Sequence, residues 1–143
     1  MVRVTSQTEL AARLRLVVMR LARRLRQQAP EALSPSQLSV LSTLESHGAL
    51  TPTELAAAER VKPPTITRVA AILEEAGLVR RKSDPGDRRS SRMELTARGR
   101  ELIERDRRRK TAYLAKQIAK LSEEEVRALN RAVELIERMV EEQ

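Results

Sequence analysis

Two short stretches hold the residues able to do chemistry. In KPPTITRVAAILEEAG (residues 62–77), Thr65, Thr67 and Arg68 bring two hydroxyls and a guanidinium close together. In LVRRKSDPGDRRSSRMELT (residues 78–96), Asp87 stands one residue before the Arg88-Arg89 pair. A guanidinium donates in a fixed fork that suits a guanine edge or a phosphate, and a hydroxyl serves either. Nothing beside these groups makes them catalytic: the sequence has no nucleophile–base set, no metal cluster and no phosphate-binding glycine loop. The four glycines are scattered at turns and helix ends. With no Cys and one His, disulfides, thiol redox sensing and cysteine-ligated zinc are out of reach. Catalytic residues, metal and cofactor are therefore all assigned as none, and the chain is not read as an enzyme.

The charge says what these donors would meet. The chain carries a net charge of +8, and a strongly basic surface favours nucleic acid or an anionic membrane. Residues 60–92 contain nine Arg and Lys against four Asp and Glu, so most of the excess sits in that window. Arg interrupts every apolar run, so no segment suits a bilayer, and no secretory leader is recognisable at the N-terminus. A cytoplasmic protein with no membrane partner is expected. Aromatic residues make up 1% of 143 residues, with no Phe or Trp, so the core must be aliphatic and suits packed helices.

Helical spacing and turn chemistry position the two stretches. Leu10, Leu14, Val17, Val18, Leu21 and Leu25 recur at helical intervals from Thr8 to about Gln28, and Pro30 ends that helix. Ser34-Pro35 starts a second helix lined by Leu38, Leu41 and Leu44 and closed at His47-Gly48. Thr51-Pro52, with Glu54 three residues on, starts a short third helix, Pro52–Glu59. A turn through Arg60-Val61-Lys62 then leads to a fourth, a helix-turn-helix spacing. On its wheel Ile66, Val69, Ala70 and Leu73 cluster on one side. Pro64, Arg68, Ala71 and Glu75 lie opposite, and Thr65 and Thr67 flank them. That small, polar, basic face suits a major groove. Gly77 stops the helix, and residues 78–82 and 91–95 read as paired strands around an Asp84-Pro85-Gly86-Asp87 turn. Ala49-Leu50 could add one short strand.

The predicted fold is mainly α with a small β-hairpin wing (α+β): a winged helix-turn-helix at 34–96 within one domain. Helical parts at 8–29 and 97–143 flank it. Thr96 caps a long helix to about Ala119, and Ser122-Glu123-Glu124-Glu125 opens another with a seam of Val126, Leu129, Val133, Ile136 and Val140. These stripes could close a monomeric bundle or pack across a two-fold axis. A dimer would set two recognition helices about one DNA turn apart.

LTPTELA (50–56), PPTITR (63–68), LEEAGLVRR (73–81) and DPGDRRSSRMELTARG (84–99) resemble the MarR family of bacterial transcription regulators. The Asp-x-Arg pair followed by a strand and Leu-Thr-x-x-Gly is the most specific part, and the resemblance covers nearly the whole chain. It implies a homodimer on a pseudo-palindromic operator in double-stranded DNA, often with release by a small-molecule effector, and the chain is read as a repressor. Carried over by position, Pro63, Pro64, Thr65, Thr67 and Arg68 would face the major groove and Arg89 would enter the minor groove. Asp87 would orient Arg89 through a charge-assisted hydrogen bond. Arg88 would contact phosphate. Lys62 stands where the family commonly has Ser. A cap bond of about 1 kcal/mol is lost there, while the Lys62 ammonium could reach a phosphate. The oxidation-sensing branch needs Cys, which this chain lacks.

Each assignment has a plainer counterpart. Arg68 and Arg89 could be solvated charges, and the Arg run at 105–110 reads as a solvated helix face. His47 suits a helix C-terminus and Tyr113 suits packing at the domain junction. The two are also the candidates for an effector pocket. The alternative function is an architectural DNA binder of low sequence specificity.

Overall fold

The computed structural model describes residues 6–28, 33–84 and 86–142, apart from the side chains of Asp84 and residues 87–90. In chain order the elements are α1 (Gln7–Arg26), α2 (Pro35–His47), α3 (Pro52–Glu59), α4 (Pro63–Glu75), β1 (Val79–Asp84), β2 (Asp87–Leu95), α5 (Ala97–Ile118) and α6 (Glu123–Glu141). The fold is the mainly helical, winged one expected from the sequence. Pro30 lies outside the described residues.

Local chemistry explains the helix starts. Ser34, Thr51 and Ser122 each accept from the backbone N–H three residues on, and Gln37, Glu54 and Glu125 reach back to complete the capping boxes. Ser6 and Glu9 form a fourth box, so α1 begins at Gln7 and not at Thr8. Each box satisfies N–H groups that a helix start otherwise leaves orphaned. Lys62 caps α4 with no side-chain hydrogen bond, as its residue type requires. Arg60 ends α3 in the left-handed region at φ 55°, which strains a side-chain-bearing residue in the turn before α4.

Two compact units result: Ala29–Arg108, and Met1–Gln28 with Arg109–Gln143. In the first, Val40, Leu41, Leu44, Leu55, Ile66, Leu73, Leu78, Val79, Met93 and Ile103 form an aliphatic core. Ile66, Val69, Ala70 and Leu73 of α4 are all buried, the face its periodicity predicted. On α2 the buried residues are Val40, Leu41 and Leu44. Leu38, expected on that face, is half-buried. Val40 fills the place because Val40 and Leu41 flank Leu44 on the wheel, whereas Leu38 lies at the far edge of that stripe.

The hairpin is longer than its apolar pattern suggested. Val79 pairs with Leu95, Arg81 with Met93 and Ser83 with Ser91, and the register shifts between Ser83 and Asp84. Polar residues fill its outer half, where backbone pairing needs no apolar face, so hydropathy alone cannot mark the ends. The Ala49-Leu50 strand shrinks to one bridge: Leu50 N–H donates to Met93 O at 3.0 Å and Met93 N–H to Leu50 O at 2.7 Å.

The other unit contains α1 and α6, neither of which has a buried residue. Met19 (59%), Met139 (62%) and Val140 (66%) head a set of exposed large apolar side chains on these helices.

Candidate nucleic-acid interface

The outer face of α4 is the centre of the candidate surface. Lys62, Pro63, Pro64, Thr67 and Arg68 are exposed, and Thr65 is half-buried. Thr65 also lines a shallow groove of about 290 Å³ with Val40, Val61, Ile66 and Val69, so its side chain is shared between the core edge and the surface. Thr67 Oγ1 donates to the Pro63 carbonyl at 3.0 Å. That proton is used inside the helix, and the Thr67 oxygen is left as an acceptor. Lys62 and Arg68 have no ion pair among the described residues.

Other cations near α4 are spent on structure. Arg81 Nε donates to Glu74 Oε2 at 3.0 Å, tying β1 to the end of α4. Arg80 pairs with its cross-strand neighbour Glu94 at 2.5 Å. Arg92 pairs with Glu54 of α3 at 3.1 Å. The local excess of Arg read from the sequence therefore overstates the charge free for a partner. Asp87, Arg88 and Arg89 form the start of β2. Their side chains lie outside the described part of the structure.

The Leu-Thr-x-x-Gly segment is structural. Thr96 Oγ1 donates to the Gly77 carbonyl at 2.7 Å and accepts from Gly99 N–H at 3.0 Å. Thr96 N–H donates to Leu78 O at 3.1 Å. One threonine thus caps α5 and fastens it to the exit of α4. Gly99 is buried, and a Cβ there would lie 2.2 Å from the Leu78 carbonyl oxygen. No side chain fits that gap, which is why the motif ends in glycine.

The α2–α3 arrangement in front of α4 has its own clamp. The Glu59 carboxylate, at the end of α3, accepts from Ser39 Oγ at 2.7 Å and from the Thr43 hydroxyl. Sequence reading missed Glu59 because its partners lie 16 and 20 residues away. Within the Arg run, Arg105 pairs with Glu101, and Arg107 bonds Glu45 Oε1 at 2.7 Å and Ser42. The 105–110 stretch is thus no plain solvated face: Arg107 holds α5 against α2.

This set of elements is matched closely among known proteins. The family model described as MarR family matches residues 33–91. An HTH-type transcriptional regulator of Mycobacterium tuberculosis (strain CDC 1551 / Oshkosh) is 42% identical over 138 residues, 96% of either chain. The chain belongs to the MarR family. The HTH-type transcriptional repressor MdtR of Bacillus subtilis (strain 168) is 34% identical over 96 residues, 67% of this chain and 62% of that protein. Among solved structures, a protein of Pseudomonas aeruginosa PA01 described as a transcriptional regulator superposes with a TM-score of 0.86 at 35% identity, covering 98% of this chain and all of that one. A MarR family protein from Bacillus stearothermophilus gives 0.78 at 26% identity over 93% and 94%. This MarR-family protein is a DNA-binding transcriptional regulator, in a family of regulators and not of enzymes. Among its described residues no helix is long and apolar enough to cross a membrane.

The two effector candidates lie in different units. His47 Nδ1 is 3.1 Å from the Thr43 carbonyl, closing α2 of the winged unit. Tyr113 is half-buried in the helical unit. It lines a groove of about 290 Å³ with Val17, Arg20, Leu21 and Arg24, and another of about 270 Å³ with Gln28, Arg109, Ala112 and Lys116.

Proposed function

We propose that this MarR-family protein is a cytoplasmic homodimeric repressor of a pseudo-palindromic operator. The observation that carries the reading is the exposed face of α4, where Thr67, Arg68 and Lys62 project from a helix whose other face is fully in the core. Arg68 reads a base edge, Thr67 accepts from an adenine or cytosine amino group, and Lys62 holds phosphate. Pro63, Pro64 and Thr65 shape the N-terminal face that enters the groove. Arg89, steadied by Asp87, enters the minor groove, and Arg88 lies on phosphate.

Energetics supports homodimerisation. Burying a Val, Leu or Met side chain contributes about 1.5–3 kcal/mol. Helices α1 and α6 leave Leu10, Val17, Met19, Leu129, Val133 and Val140 exposed over 39–66% of their surface in the single chain. A second copy covers them and brings two α4 helices to adjacent turns of DNA. Release by a small effector is supported by the Tyr113 groove, where Val17 and Leu21 stand beside Arg20 and Arg24. That pairing suits an amphipathic acid. His47 serves its helix end.

Footprinting on DNA upstream of the protein's own gene tests the reading. Two protected half-sites, centres about 10–10.5 bp or a multiple apart, are expected. Uniform protection with no boundaries would instead fit an architectural binder.

A further inference from the structure

The base of the wing is fastened to the start of α3 by a contact that the DNA-reading residues do not include. Arg92 lies on β2, next to Met93, whose backbone forms the bridge to Leu50. Its Nη1 donates to Glu54 Oε1 at 3.1 Å and approaches the Ala49 carbonyl at 3.4 Å. The same Glu54 oxygen accepts from Thr51 N–H in the capping box that opens α3. One carboxylate is thus shared by a helix cap and a wing arginine. Hydrogen bonding with Thr51 is the foremost cause holding the Glu54 carboxyl below its ordinary range, and the Arg92 charge adds to it.

We propose that Arg92 and Glu54 are positioning residues for DNA binding: the pair sets the angle of the wing against the helix-turn-helix, and operator affinity depends on it without either side chain touching DNA. This rests on the reading that the wing enters the minor groove. A two-stranded ribbon is marginal alone; buried Val79 and Met93 and the Leu50 bridge seat its base in the core, and the Arg92–Glu54 pair is its side-chain tie to α3. Arg92 meets both the backbone of residue 49 and the first turn of α3, so it fixes direction as well as distance.

The sign of one substitution separates this role from simple electrostatics. Glu54→Gln removes a negative charge near DNA, which by charge alone tightens binding. Gln also serves in a capping box, so α3 keeps its start. The proposal expects E54Q to weaken operator binding roughly two- to fivefold, the scale of a partly exposed ion pair. Arg92→Ala is expected to lose a similar factor with the slope of log affinity against log salt unchanged, and the double variant to be no worse than R92A. Affinity is measured by fluorescence anisotropy at three salt concentrations, with thermal melts confirming folded protein and Arg89→Ala run in parallel. Tighter binding by E54Q, or a salt slope reduced by about one in R92A, overturns the proposal and makes Arg92 a phosphate contact. A lower melting temperature with unchanged affinity also overturns it, leaving the pair as a fold stabiliser. Unchanged affinity in R89A sinks the minor-groove reading instead, a result separate from those of E54Q and R92A.

Discussion

Arg68 and Gly99 stand for the two kinds of residue on this surface, one free to meet DNA and one shaped by packing. Arg68 is exposed and has no ion pair among the described residues. Its replacement by Ala is expected to cost about 1–3 kcal/mol of operator binding and to relax one base position in each half-site, scored on single-base operator variants. An equal loss on every variant would make it a phosphate contact. Gly99→Ala is expected to cost about 1–3 kcal/mol or more of stability, read from the denaturant midpoint, because the clash is with the Leu78 carbonyl and not with a movable side chain. An unchanged midpoint would contradict the packing account. Glu54 and Glu125 both titrate below the ordinary glutamate value: hydrogen bonding with the Thr51 side chain is the largest cause for the first and with the Ser122 backbone for the second. A carboxylate with a depressed folded pKa stabilises the fold fully above its unfolded pKa. That contribution is lost as pH falls through the folded value. Acid melts should therefore show the loss only below the ordinary glutamate range, and E54Q should flatten part of it.

Among the elements, α4 would trade stability for contact if Lys62 holds phosphate as proposed. Its cap residue Lys62 makes no side-chain bond. Lys62→Ser is expected to stabilise the fold by about 1 kcal/mol while lowering the salt slope of DNA binding by about one. A rise in melting temperature with no change in slope would remove Lys62 from the phosphate contacts. The caps at Ser34, Thr51 and Ser122 and the buried face of α4 were legible in the sequence, because both depend on residues three or four apart. The reach of the hairpin was not, since its outer half pairs through backbone and carries polar residues. Glu59, Arg92 and Arg107 were also illegible as structural residues. Their partners Ser39, Glu54 and Glu45 lie 20, 38 and 62 positions away. A charge count registers such residues only as surface. The same effect made the basic excess of residues 60–92 look freer than it is.

Taken whole, the chain has one self-sufficient core and one set of helices that lacks cover. Every buried residue among those described lies in the winged unit. The exposed apolar side chains of α1 and α6 are the surface that the proposed homodimer would bury. Val133→Asp is expected to shift the sedimenting species from dimer to monomer and to lower operator affinity, since each half-site contact then binds alone. Whether this surface reads sequence is tested most directly by affinity for the upstream duplex against a scrambled one, at low and high salt. A preference of ~10³-fold or more that survives the higher salt is the expected result. Equal affinities that collapse together with salt would contradict it.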